Sequence, residues 1–208
     1  MGTFAAGLVF ISINRGDYWQ CAFAIPKGTM DELHRRGLAA FRDRIGRVVP
    51  FLAGRTAEIT DWNQVKPLTV AVDRLKQWYR PGLLCIGDAA HAMSPIGGVG
   101  VNLAVQDAVA TANLLAEPLR SGAVSTDMLR RVQDRRQFPA AVTQRIQIFL
   151  QNRLVAPTLG NTQKIEPPLG IRLLKYFPVL RRIPGRLIGL GVRPEHIRTP
   201  ERASPSAS

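Results

Sequence analysis

The first part of the chain alternates apolar and polar residues in two short runs. Residues 8–14 and 18–26 are rich in β-branched and aromatic side chains, and residues 15–17 between them have turn composition, so the pattern predicts a β-hairpin. In the second run one face carries Tyr18 and Gln20 and the other is apolar, because successive strand side chains point to opposite faces. The apolar face consists of Trp19, Cys21, Phe23 and Ile25.

A helix is predicted to follow the hairpin. Thr29 and Glu32 have the spacing of a capping box, and apolar residues then recur at helical intervals, which predicts a helix over residues 30–48 that packs on the sheet. Residues 65–72 alternate again and predict a further strand. We place a boundary between two parts of the chain near Arg74.

The central stretch of the chain has a different pattern. Residues 83–86 form a short apolar strand, Gly87 and Asp88 make a tight turn, and the glycine-rich residues 95–100 precede an apolar helix that starts near Val101. This helix is apolar nearly all round, so we expect it to be buried.

Asp107 is the polar exception within that helix. A buried carboxylate must be paired, and we expect an arginine from another segment as its partner. A second long helix is predicted to run from a cap at Ser125 or Thr126 to about Leu154. Residues 169–192 mix apolar and basic side chains, which could lie on a membrane surface, close over an apolar substrate entrance or dock on the domain. Docking is favoured because prolines interrupt a continuous amphipathic helix.

Composition and charge narrow the class of protein. The 208 residues are 46% apolar and 21% charged, as in ordinary soluble proteins, but the formal net charge is +13. No nucleic-acid-binding signature accompanies this charge, so nucleic acid is not an expected partner. Cys21 and Cys85 lie in apolar runs and indicate buried free thiols in a reducing compartment. With no signal peptide and no apolar run of roughly 18 residues, a cytoplasmic location is expected.

The turn at Gly87 and Asp88 and the glycines after it form a candidate ligand site. Glycines let the backbone approach a flat or anionic group, and a helix N-terminus offers N–H donors with a partial positive charge. Asp88 would repel a phosphate, so its natural partner is a ribose or ribityl hydroxyl. Together these features indicate a nucleotide cofactor. The alternative is that the glycines only turn a strand into a helix.

These residues resemble a known fingerprint. Gly87-Asp88-Ala89-Ala90-His91, followed by Pro95, Gly97, Gly98, Gly100, Asn102 and Asp107, resemble the second FAD fingerprint of the para-hydroxybenzoate hydroxylase-like (group A) flavoprotein monooxygenases. The resemblance implies that Asp88 holds the ribityl chain, that Pro95 lies beside the isoalloxazine, and that the start of the helix faces the N1/C2=O edge of the ring. The implied cofactor-binding set is Gly87, Asp88, Pro95, Gly97, Gly98, Gly100, Val101 and Asn102.

No catalytic residue and no metal ligand is implied. His91 is interpreted as a structural residue that fixes the loop, with a general base as the weaker alternative. The face of Tyr18 and Gln20 is a candidate substrate-contact face, since the equivalent sheet of such hydroxylases lies above the flavin.

The resemblance implies an α/β fold, here a fragment. Residues 1–73 would form a partial substrate-side sheet and helix, residues 74–154 the C-terminal part of an FAD-binding domain, and residues 155–208 a basic, apolar extension with a disordered tail. The GxGxxG unit with which such enzymes begin is not found in the sequence, so we interpret the chain as a C-terminal half that is inactive by itself.

The implied function of the complete enzyme is hydroxylation of an aromatic or other electron-rich small molecule by a monooxygenase that uses FAD, with NAD(P)H as reductant. One alternative is a flavin reductase or dehydrogenase of the isoprenoid-saturating kind. Another is a non-catalytic fragment that binds a partner chain or a membrane through its C-terminal region. A homodimer and peripheral membrane contact stay open, and the residues do not specify the substrate.

Overall fold

A computed structural model describes residues 2–5, 8–95, 98–155 and 182–198. These residues fall into two compact units, one with the described residues up to Thr69 and residues 150–155, the other with residues 70–149 and 182–198. Gly97, residues 169–181 and the predicted disordered tail lie outside the described residues. Helices and small sheets together give the mixed α/β class that the sequence predicts.

The first unit contains a three-stranded antiparallel sheet. Its strands are β1 (Gly2–Ala5), β2 (Leu8–Asn14) and β3 (Trp19–Ala24), in that order across the sheet. The predicted hairpin is confirmed, because β2 pairs with β3 and the Arg15 N–H donates to the Tyr18 carbonyl at 2.9 Å across the turn.

Helix α1 (Met30–Val48) has the predicted bounds and covers one face of this sheet. Phe23 of β3 meets Phe10 and Phe41 edge to face, with ring centroids 6.5 and 5.6 Å apart, and these rings lie in the main core of the unit. The predicted capping box is wrong. The Thr29 hydroxyl donates to the Pro26 carbonyl at 2.8 Å and caps no amide of the helix.

The strand predicted over residues 65–72 is also wrong. Two 3-10 segments, Pro50–Glu58 and Trp62–Gln64, follow α1, and residues 65–72 then continue without regular structure. Alternation alone does not make a strand, because backbone N–H and C=O groups need a paired neighbour, and the described residues provide none here.

The second unit is built from two long helices and a small hairpin. Strands β4 (Tyr79–Arg80) and β5 (Leu83–Leu84) pair antiparallel, so the central strand is shorter than predicted. A 3-10 turn at Gly87–Ala89 leads to α2 (Val99–Arg120). Then come α3 (Thr126–Leu150) and α4 (Arg182–Gly189), while the π-helical turn at Gln151–Val155 belongs to the first unit. The Ser125 hydroxyl accepts from the Met128 N–H at 3.3 Å, which confirms the predicted cap of α3.

Helix α2 is buried on one side only, so the expectation of all-round burial is wrong. Leu103, Ala110 and Leu115 lie in the core, while Val101 and Val105 are 72% and 56% exposed. We call the exposed apolar residues at helical spacing on this face the α2 stripe; they are Val101, Val105, Ala108, Ala112 and Leu119. By length and mean hydropathy α2 could also span a membrane, contrary to expectation, but the buried Asp107 favours a core helix.

The cysteines differ from expectation as well. Both are free, but Cys21 is exposed and Cys85 is half-buried. Cys21 therefore does not belong to the core, although its strand packs there through other residues.

Candidate functional site

The turn at Gly87 is pressed against α2. The Cys85 N–H donates to the Trp78 carbonyl at 2.7 Å, which continues the β4–β5 pairing up to the turn. Gly87 then adopts φ +58°, and a Cβ at this position would lie 3.0 Å from the Ala104 Cβ of α2. Gly87 is therefore required by backbone conformation and by close packing, whether or not a ligand is bound.

Asp88 follows with an exposed side chain. Among the residues that the structure describes, no group hydrogen-bonds its carboxylate. The turn itself is fixed by its backbone, because the N–H groups of Ala90 and His91 both donate to the Gly87 carbonyl at 2.9 Å. A carboxylate on a rigid turn, with its acceptor capacity unused, suits the hydroxyl groups of a sugar or ribityl chain.

The start of α2 lies about one helical turn before Ala104, the residue that contacts Gly87. Gly98 adopts φ +63° in the left-handed region and precedes the helix, which begins at Val99, two residues earlier than predicted. No side chain caps this end and no acidic residue lies in the first turn, so the partial positive charge of the helix is not compensated locally.

Gly100 has room around it. It lies inside the first turn of α2, and among the described residues the Met93 Cβ, at 3.9 Å, is the atom nearest to the point where a Cβ would lie. Its backbone is helical and does not by itself require a glycine. The described residues therefore leave room for a side chain here, on the helix end against which a ring would stack.

The remaining predicted residues have different surroundings. Pro95 and Val101 are exposed, and Gly97 lies outside the described residues. Asn102 is exposed but its Nδ2 lies 3.4 Å from the Gly189 carbonyl, to which it donates. In the other unit, Tyr18 is 60% exposed, and Gln20 accepts hydrogen bonds from Arg15 at 3.0 and 2.8 Å.

A buried ionic cluster supports the turn from beneath. Asp107 Oδ2 accepts from the Gly87 N–H at 3.1 Å and contacts His91 Nε2 at 2.6 Å, while Oδ1 accepts from Arg136 Nε at 2.8 Å. The predicted pairing of Asp107 with an arginine of another segment is confirmed. Burial disfavours the charged form, but the hydrogen bonds from His91, Arg136 and Gly87 outweigh it and keep the pKa of Asp107 below its ordinary value.

His91 has the environment of a structural residue. Its ring is buried 5.1 Å from that of Trp78, and its Nε2 points at Asp107 and not toward the open side of the turn. Its Nδ1 has no hydrogen-bond partner among the described residues. The interpretation as a loop-fixing residue agrees with this geometry, because the ring contacts the same carboxylate that accepts the Gly87 N–H.

Sequence reasoning missed a polar stripe on α3. Gln133 bonds the backbone of Trp78 and Lys76 at 2.9 and 3.0 Å. Gln144 donates to the Ala92 carbonyl at 3.0 Å and Gln147 to the Ser94 carbonyl at 2.7 Å, so α3 holds the chain before and after the turn. A signal was present, because the buried positions recur at helical spacing: Gln133, Arg136, Ala140, Gln144 and Gln147.

Residues 6–146 match the family described as FAD binding domain. Among curated proteins, the chain is 35% identical over 171 residues to 6-methylpretetramide 4-monooxygenase of Streptomyces rimosus, a match that covers 80% of this chain and 41% of that protein. The chain thus spans less than half the length of this relative.

Solved structures of monooxygenases share the fold. PqsL of Pseudomonas aeruginosa superposes with a TM-score of 0.58 at 24% identity, over 76% of this chain and 45% of that one. The p-nitrophenol 4-monooxygenase PnpA of Pseudomonas putida DLL-E4 gives a TM-score of 0.54 at 22% identity, over 89% and 46%. The family match includes the turn, the start of α2 and most of α3, so the arrangement described above is that of a known cofactor fold. The chain belongs to the FAD binding domain family.

Proposed function

We propose that this chain provides the flavin-facing part of an FAD-dependent monooxygenase that hydroxylates an aromatic or other electron-rich small molecule, with NAD(P)H as reductant. Similarity to named monooxygenases supports the reaction class. The observation that carries the proposal is the carboxylate of Asp88, which has no hydrogen-bond partner among the described residues and follows Gly87, the residue packed against Ala104 one helical turn beyond Gly100.

The residues present fit the flavin end of FAD. Asp88 would accept hydrogen bonds from ribityl hydroxyls, and the uncapped start of α2 would face the N1/C2=O edge, where reduced flavin carries negative charge. Such a helix end stabilises an anion by about 0.3 to 2 kcal/mol. Bound FAD would supply the transfer of electrons from NAD(P)H to O2. The chain's own residues would position the ring and keep water from it.

The exposed α2 stripe indicates that a further part of the fold is needed to complete the site. An uncharged face along a 22-residue helix is rarely left in water, and Leu119 at its far end is 63% exposed. We propose that the working enzyme covers this face with a part of the fold that lies outside the matched region, since that region makes up only 41% and 45% of two relatives. The adenine and pyrophosphate contacts would also come from that part.

Three flavins of different length test the proposal. The chain should bind riboflavin and FAD weakly and with similar affinity, with dissociation constants on the order of 0.1 to 1 mM, because only the ring and ribityl chain are contacted. Asp88→Ala should weaken both by about tenfold and leave lumiflavin, which has no ribityl chain, unaffected. Asp134→Ala, an exposed carboxylate of α3, is the matched control. Equal loss of lumiflavin binding would remove Asp88 from the ribityl position.

A further inference from the structure

The described C-terminal residues form a strap along α2. We define the strap as residues 189–198, which leave α4 and run beside α2 in the same direction. Asn102, Gln106 and Asn113 each donate a side-chain hydrogen bond to a strap carbonyl, at 3.4, 2.9 and 2.8 Å. The strap is thus attached from the first turn of α2, where the flavin edge is proposed to lie, to a point about three turns further on.

Arg136 of α3 connects the strap to the flavin turn. Its Nη1 donates to the Arg193 carbonyl at 3.2 Å and lies 3.5 Å from the Glu195 carboxylate. Its Nε donates to Asp107, whose other oxygen accepts the Gly87 N–H. The Arg136 and Asp107 side chains are not exposed to solvent, and that of Glu195 is 5% exposed. Solvent therefore screens the interactions between these three charged groups little.

The backbone of the strap is held in an unusual conformation at the same point. Arg193 has φ +56°, the one positive φ of a non-glycine residue among the described parts of the chain. A left-handed arginine persists only where its surroundings determine it. Here its carbonyl accepts from Arg136 and its guanidinium lies 4.8 Å from the Phe138 ring centroid. The position of the strap is therefore specified by contacts with α3.

We propose that the strap is a positioning element of the flavin site, acting on Gly87 and Asp88 through Glu195, Arg136 and Asp107. The role at the flavin rests on the proposed function, whereas the mechanical coupling does not. Glu195 Oε1 accepts from Arg135 Nε at 2.7 Å and lies 3.5 Å from Arg136 Nη1, so it orients the Arg136 guanidinium. Arg136 in turn fixes the Asp107 carboxylate that accepts the Gly87 N–H. Loosening the strap should therefore loosen a turn that it does not touch.

Amide exchange in the flavin-free chain tests the coupling. Glu195→Gln keeps the shape and removes the charge, and Asn113→Ala releases the strap without touching the ion pairs. In both variants the Gly87 N–H, observed by NMR of the 15N-labelled chain, should exchange about fivefold faster or more than in the unaltered chain. Glu117→Gln, which removes an exposed partner of Arg120 at 3.3 Å, should leave this rate within about twofold. Unchanged Gly87 exchange in both strap variants would overturn the proposal.

Riboflavin binding tests the consequence for the cofactor. The strap variants should weaken riboflavin binding by about threefold or more, while the Glu117→Gln control binds as the unaltered chain does. Faster Gly87 exchange with identical riboflavin affinity would overturn the role of the strap at the flavin. If the unaltered chain binds no riboflavin, the proposed function fails, and the exchange measurement still decides whether the strap holds the turn.

Discussion

Asp107 and Arg136 form an ion pair from which water is excluded, with Nε 2.8 Å from Oδ1 and no exposed surface on either side chain. The pair joins α2 to α3, and the same carboxylate also binds the turn at Gly87. An ion pair in this position determines the geometry of the turn, and its loss should cost more than the loss of any exposed pair.

Removing one partner should destabilise the protein strongly. Arg136→Met leaves the Asp107 carboxylate buried without its guanidinium, which should lower the free energy of unfolding by about 3 to 5 kcal/mol. Arg130→Met, which removes an exposed pair with Asp127 at 3.1 Å, should change it by less than about 1 kcal/mol. Urea unfolding followed by circular dichroism measures both. Equal effects would mean that the buried pair contributes no more than a surface one.

Stability should fall in acid because of Asp107. Its folded-state pKa lies below the unfolded value of about 3.9, so the carboxylate adds stability at pH values above 3.9 and loses that contribution as the pH falls through the folded pKa. The free energy of unfolding, measured by urea unfolding between about pH 2 and pH 6, should therefore fall steeply at the acid end of this range, which we call the acid limb. Asp107→Asn should flatten that limb, whereas the exposed Asp134→Asn should not. An unaltered limb in Asp107→Asn would assign the acid sensitivity to other carboxyl groups.

Gly100→Val separates a ligand role from a folding role. Because Gly100 is helical and a Cβ there would make only an ordinary contact with Met93 among the described residues, valine should leave the melting temperature unchanged or slightly higher. Riboflavin binding should nevertheless be lost, since the new side chain occupies the space proposed for the ring. Gly185→Val, also helical and with no atom of the described residues within 4 Å of the point where a Cβ would lie, should change neither property. Full riboflavin binding by Gly100→Val would show that the flavin does not lie at this helix end.

The two sides of α2 should respond differently to substitution. Leu103→Ala removes a core side chain and should cost about 2 to 5 kcal/mol of unfolding free energy. Val105→Ser, on the exposed α2 stripe, should cost less than about 1 kcal/mol and reduce binding of a hydrophobic dye or self-association. Thermal denaturation and light scattering report these effects. A large loss of stability in Val105→Ser would mean that the stripe is covered within the chain itself.

The sequence predicted the local elements well where short-range patterns determine them. The hairpin, the bounds of α1, the cap at Ser125 and the pairing of Asp107 all follow from periodicity or from the cost of burying a charge. The strand prediction for residues 65–72 was wrong because alternation indicates which side chains share a face but not whether a partner strand exists. The capping prediction for Thr29 was wrong because the Thr29 hydroxyl donates to the Pro26 carbonyl and caps no helix amide.

The residues of the site that would face a ligand could be predicted from the sequence, but the buried residues that hold them in place could not. Asp88 and the glycines are recognisable from their spacing, but Glu195 lies far from them in sequence and reaches Arg136 only through the folded path of the strap. The glutamines of α3 were hidden because glutamine is usually exposed, and only their helical spacing signals a buried face. Hydrogen-bond partners that lie more than 50 residues apart in the sequence leave no local sequence pattern by which they could be predicted.

The three buried glutamines of α3 have a consequence for how this protein can diverge in evolution. Gln133, Gln144 and Gln147 donate to main-chain carbonyls, so they recognise the path of the neighbouring segments and not their side chains. Positions such as Lys76 and Ala92 are therefore free to mutate while the path persists. A glutamine itself has almost no acceptable substitute, since glutamate cannot donate and leucine leaves a carbonyl unsatisfied. Amino-acid substitutions should therefore accumulate in the segments that α3 bonds through their main chain and stay rare at the three glutamines of α3.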